Sequence, residues 1–177
     1  MGYAKAKPGV PGARDYIGNT DGLAAAKRPG TEEWVRQAIF QSQGALWNNG
    51  TWQPGGRDMR GKPGTMSVHS TGRAMDLSYR KMQTKGIDNA RPIVVDLMKV
   101  FTANANTLGI QATLDYWPQE FGRGWRCDRQ AWEKYTKPTI HGAPGGDWIH
   151  IEVSPQAADS VIWVKSAFLK VFGTIHD

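Results

Sequence analysis

The chain has 177 residues, 40% hydrophobic and 21% charged, enough for one buried core and too short for two comfortable domains. Its net charge of +6 and pI near 9.5 favour an anionic partner, but the basic residues come in ones and twos, without the cationic block of a nucleic-acid arm. No apolar run of about eighteen residues, no secretory signal and a single cysteine, Cys127, exclude a membrane span, an exported precursor and an internal disulfide.

We therefore expect a chain made in the cytosol, monomeric, with neither membrane nor nucleic acid as partner. Residues 1–30 carry KPGVPGAR and KRPG, whose prolines and glycines oppose long regular elements, and read as an irregular arm lying on the domain. From Thr31, a candidate cap, Trp34, Val35, Ala38 and Ile39 recur at helical spacing and predict a helix ending near Gly44. Asn48 to Gly64 is turn chemistry almost throughout and reads as a loop.

The run AMDLSY alternates Met75, Leu77 and Tyr79 with Ala74, Asp76 and Ser78, a strand with one polar face. Asp88 or Asn89 ahead of Pro92 opens a second helix that Gly109 stops, and IQATLDY follows as a strand. The stretch from Trp117 to Tyr135, rich in tryptophan and arginine, carries no readable period and is a candidate insertion walling a cleft. DWIHIEV is a strand with Ile149, Ile151 and Val153 inward, and Ser154 with Pro155 opens a last helix ending at Gly173. The order predicts an α+β fold with a small, mostly antiparallel sheet flanked by helices.

Histidine is scarce, with four in the chain, so its placement is informative. His69 and Asp76 bracket a small-residue run, and His150 lies mid-strand on the face opposite the apolar one. Two imidazoles and one carboxylate suffice for a catalytic zinc with an open fourth position, where a bound water is acidified toward neutral pH. Small residues around Gly72 would let the backbone pass close to the ion. Asp147, in the bend supplied by APGGD, is the candidate general base. His176, at the terminus, is no candidate.

Ser67, His69, Gly72, Ala74 and Asp76 match S-x-H-x-x-G-x-A-x-D at every fixed position, and DWIH resembles the E-x-x-H element downstream of it. On these motifs, over roughly residues 50–153, the chain resembles the zinc D-Ala-D-Ala peptidases and phage L-alanyl-D-glutamate endolysins of the lysostaphin, D-Ala-D-Ala-peptidase and hedgehog superfamily. The resemblance implies a hedgehog/DD-peptidase-like fold in which residues 31–177 form the zinc peptidase catalytic domain. It implies Zn2+ held by His69, Asp76 and His150, with Asp147 as base where most relatives have glutamate.

It further implies that Ser67 contacts substrate, that an upstream arginine, Arg57 or Arg60, polarises the scissile carbonyl, and that His141 could stabilise the oxyanion. Glu152, on the same face as His150, is a candidate to orient it. Trp117, Trp125, Trp132 and Trp148 are candidates to line a groove, with core packing the alternative for each. The implied partner is peptidoglycan and the implied activity is endopeptidase cleavage of its stem peptides, by an enzyme made in the host cytoplasm and acting on the wall after release. A D-Ala-D-Ala carboxypeptidase or dipeptidase, or a non-catalytic zinc-bearing wall-binding module, would keep the same ligands.

Overall fold

A computed structural model describes residues 2–118 and 120–177; Met1 of the expected arm and Gln119 of the tryptophan-rich stretch lie outside them. Helix α1 (Pro29–Gln41) begins two residues before the expected cap, because Pro29 suits a first turn whose N–H groups lack helical partners. Thr31 instead sits inside the helix and donates its hydroxyl to the Gly72 carbonyl at 2.7 Å. The segment expected to be a loop holds three strands, β1 (Trp47–Gly50), β2 (Asp58–Met59) and β3 (Lys62–Met66).

The first motif folds as a 3-10 turn, Val68–Thr71, followed by β4 (Ala74–Ser78). Gly72 joins them with φ of 69°, and a Cβ there would meet the Arg28 side chain at 3.0 Å. That glycine serves the turn and the packing of Arg28, a different reason from the close metal approach expected of it.

The second predicted helix is broken at Asn104 into α2 (Arg91–Ala103) and α3 (Ala105–Leu108), which Gly109 ends in the left-handed region. Strand β5 (Ile110–Asp115) leads into the stretch that resisted reading, a hairpin of β6 (Arg123–Arg126) and β7 (Ala131–Lys134). The expected strand β8 (Trp148–Val153) follows. The last predicted helix is two, α4 (Pro155–Asp159) capped by Ser154 and α5 (Val161–Phe172) capped by Ser160, whose hydroxyl accepts from the Trp163 N–H.

The fold is mixed α+β, with a six-stranded sheet in the order β1-β4-β8-β5-β6-β7 in which every paired strand is antiparallel; β2 and β3 form a separate ribbon. Met75, Leu77, Ile149, Ile151 and Val153 share the core with Trp34, Val94, Phe101 and Phe168 from the helices. Trp34 lies edge-on to Phe101 and Phe168, each at 5.1 Å, the geometry the ring quadrupoles favour. Strand alternation then puts Asp76, His150 and Glu152 on the opposite face.

A bulge between Ile110 and Ala112 splits the apolar parity of β5. Beyond it Thr113 and Asp115 pair with the core-facing Ile151 and Ile149, while Leu114 lies opposite His150. Among the described residues, no helix is long and apolar enough to cross a membrane.

Candidate metal centre

Sheet register creates the site. Asp76 on β4 and Leu114 on β5 lie directly opposite His150 on β8, the strand between them. Cross-strand neighbours sit closer than side chains several residues apart on one strand, so ligands distant in sequence converge without a dedicated loop. The 3-10 turn presents His69 from above, with Ser67 as its N-cap accepting from the His69 N–H at 3.3 Å.

His150 Nδ1 is 2.9 Å from one Asp76 oxygen, and His69 Nε2 is 3.3 Å from the other. One potential ligand atom from each of the three residues lies within 4.8 Å of the others, a possible metal-binding triad. Ligands about 2.0–2.1 Å from a tetrahedral ion stand about 3.3 Å apart, so this donor set fits a small divalent cation with little movement.

The nitrogens facing away from Asp76 are also committed. His69 Nδ1 meets the Thr51 carbonyl, and His150 Nε2 meets Glu152 Oε1 at 3.1 Å. Acceptors of this kind fix the tautomer and ring orientation of a ligating histidine. Glu152 thus takes the orienting place expected of it. Thr51 had no signal, since a backbone carbonyl is supplied by any residue; β1, pairing Gly50 with Asp76, brings it into range.

Burial alone would lower the His150 pKa, but hydrogen bonds to the Asp76 and Glu152 carboxylates outweigh it and raise the value to about 9. Burial pushes Asp76 up, yet His150 and His69 hold it below the usual carboxylate range; Glu152 is likewise held down by His150 and Tyr16 against its burial. In the metal-free protein, a protonated His150 between the Asp76 and Glu152 carboxylates is therefore the favoured state at neutral pH.

A histidine raised on folding stabilises fully below its unfolded pKa, near 6.5, and loses that contribution as pH rises through about 9. We expect metal-free protein to lose on the order of 2–3 kcal/mol between about pH 6 and pH 10. Urea unfolding at fixed ionic strength measures it, and a flat profile across that window would contradict a buried imidazolium.

The triad opens into a cleft of ≈ 590 Å³ lined by Arg57, Arg60, Ser67, Arg80, Tyr116, His141 and Trp148 among others. Ser67, Arg57, Arg60 and His141 all reach it, Arg57 and Arg60 from the β2–β3 side and His141 from the segment before β8. The Arg57 backbone is fixed against the motif, its N–H donating to Ser70 Oγ at 2.8 Å and its carbonyl accepting from the Ser67 N–H at 2.9 Å.

Asp147 does lie in the bend before β8, but its carboxylate forms a bidentate pair with Arg80 (2.6 and 2.8 Å). It does not itself line the cleft, whereas Arg80 does. Of the four tryptophans, only Trp148 lines the cleft, stacked on Tyr116 at 4.6 Å. Trp125 is core, Trp132 packs against the core and Trp117 is 47% exposed. The tryptophan-rich hairpin extends the sheet beyond β5 and does not wall the cleft.

Tyr116 was findable from its shared parity with Leu114, whereas Arg80 carried no periodic signal. His176 is tied by its N–H to Gln37 at 2.9 Å, so the terminus is docked on α1, away from the cleft. Comparisons with protein-family models, curated proteins and solved structures find no match to this chain.

Proposed function

We propose that the protein is a zinc-dependent peptidoglycan peptidase of the endolysin type, with a hedgehog/DD-peptidase-like fold. The observation that carries the reading is the convergence of His69, Asp76 and His150 on the floor of an open cleft, with acceptors behind both outward-facing imidazole nitrogens. His69 Nε2, Asp76 and His150 Nδ1 would hold Zn2+, which supplies Lewis acidity to a peptide carbonyl and acidifies water at neutral pH.

Asp147 takes a proton from the attacking water and returns it to the leaving amine nitrogen as the C–N bond breaks, giving a carboxylate and an amine. To act, Asp147 must leave Arg80, whose side chain is 53% exposed. Asp147 itself is 25% exposed and the pair is bidentate, so its release is a real cost that bound substrate must offset.

Arg57, whose backbone is anchored against the motif, is the arginine assigned to hold the carbonyl oxygen, with His141 as a second donor. Ser67 offers a hydroxyl to the bound peptide. Arg57, Arg60 and Arg80 give the cleft a cationic rim suited to the carboxylates of stem peptides, and the Tyr116–Trp148 stack gives it an apolar wall. A carboxypeptidase would keep the same triad and differ in a closed groove that reads a free carboxylate.

Digestion of purified wall followed by mass spectrometry of the muropeptides tests the reading. New amino termini within stem peptides should form, disappear on chelation and return with zinc. Cleavage of a free D-Ala-D-Ala dipeptide alone would favour the dipeptidase reading, and zinc binding without turnover the binding-module reading.

A further inference from the structure

The N-terminal segment is stitched to both parts of the chain that carry the triad. Arg73, fully buried inside the first motif, donates to both oxygens of Asp21 at 2.7 and 2.8 Å, to the Gly18 carbonyl, and to the Val153 carbonyl of β8 at 2.7 Å. The Ala24 N–H donates to the Ser70 carbonyl at 2.9 Å, and Asn19 reaches the Met66 carbonyl at 2.6 Å.

Between these ties, Tyr16 enters the core with no exposed surface. Its ring lies beneath the Arg126 guanidinium, 4.6 Å from the ring centroid, and its hydroxyl donates to Glu152 Oε2 at 2.6 Å. The other oxygen of that carboxylate is the one that meets His150 Nε2.

The two oxygens of Glu152, which is 3% exposed, are thus taken by two different segments. Rotation of the carboxylate would break both hydrogen bonds at once, and unpaired buried oxygens are costly. Tyr16 therefore restrains the group that sets the plane and tautomer of His150, leaving Nδ1 turned toward Asp76. A phenol hydroxyl with no such task could have been phenylalanine in a pocket this buried.

We propose that Tyr16 is a positioning residue of the metal centre, so that the N-terminal arm completes the site through Tyr16, Glu152 and His150. This rests on the zinc reading above. Zinc affinity of Tyr16→Phe, measured by competition with a chromophoric chelator, should fall roughly 10–100-fold, with a shift in the visible bands of the cobalt-substituted protein.

Glu152→Gln should lose affinity over the same range, and adding Tyr16→Phe to it should change affinity by less than about threefold, because both act through one carboxylate. Equal affinity and an unchanged cobalt spectrum in Tyr16→Phe, whatever its melting temperature, would overturn the proposal by making the hydroxyl purely structural. Should Tyr16→Phe not fold, unchanged affinity in Glu152→Gln overturns it equally. A wild-type chain that takes up no zinc overturns the metal reading and this inference together.

Discussion

His150→Ala is expected to emerge from dialysis without zinc under conditions that leave the wild type loaded, and to release no new amino termini from purified wall. His150 is the residue around which the centre is built, since it lies between Asp76 and Glu152 and directly across from Leu114. Structural zinc sites bind with about 10–16 kcal/mol, so removing one of three ligands should weaken affinity on the order of a thousandfold. The metal-free fold should suffer too, by less than the roughly 3–5 kcal/mol of a fully unpaired buried charge, because Asp76 would keep only His69 and Glu152 only Tyr16 as a partner. Elemental analysis and urea unfolding read the two effects separately, and stoichiometric zinc in the variant would remove His150 from the ligand set.

Asp147→Asn is expected to keep its zinc while turnover falls about 10²–10⁴-fold. The amide preserves the size of the side chain and one acceptor for Arg80, so the bend should hold: its backbone is fixed independently by the Asp147 carbonyl, which accepts from the Tyr79 N–H at 2.9 Å and Ser78 Oγ at 3.1 Å. Loss of activity would then report the missing base rather than a displaced strand. Rates of amino-terminus release at saturating wall, with metal content checked on the same sample, make the measurement. Near wild-type turnover would assign the proton transfer to another group and leave Asp147 as the anchor of Arg80.

Much of the site was legible because its ligands obey strand periodicity. Asp76 and His150 each sit at the polar phase of an alternating run, so the sequence told which face they share, though not that their strands are neighbours. Register is a long-range property, and nothing in AMDLSY or DWIHIEV names its partner. The strand β1 was invisible for a physical reason: Asn48, Asn49 and Gly50 are turn formers, held extended by the ladder that β4 offers at its open edge.

Breaks at Asn104 and Ser160 escaped notice because the apolar period continues across both, while Asn104 leaves helical geometry and Ser160 caps a second start. The β6–β7 hairpin hid its pattern because its arginines are spent internally, Arg123 on the buried Asp115 and Arg126 on Asp128. Tyr16 lies in a proline- and glycine-rich segment where no period exists to mark it as interior.

The separation between the ligands and the cleft rim has a consequence for how such a protein can diversify. His150 and Asp76 belong to adjacent strands of the central sheet, whereas Arg57, Arg60 and His141 come from short segments outside it. Changes to that periphery would alter what the cleft grips while leaving the triad intact. Rim and ligand residues nonetheless interleave along the chain, Arg57 and Arg60 preceding His69, and His141 preceding His150, so the division is one of space and not of sequence.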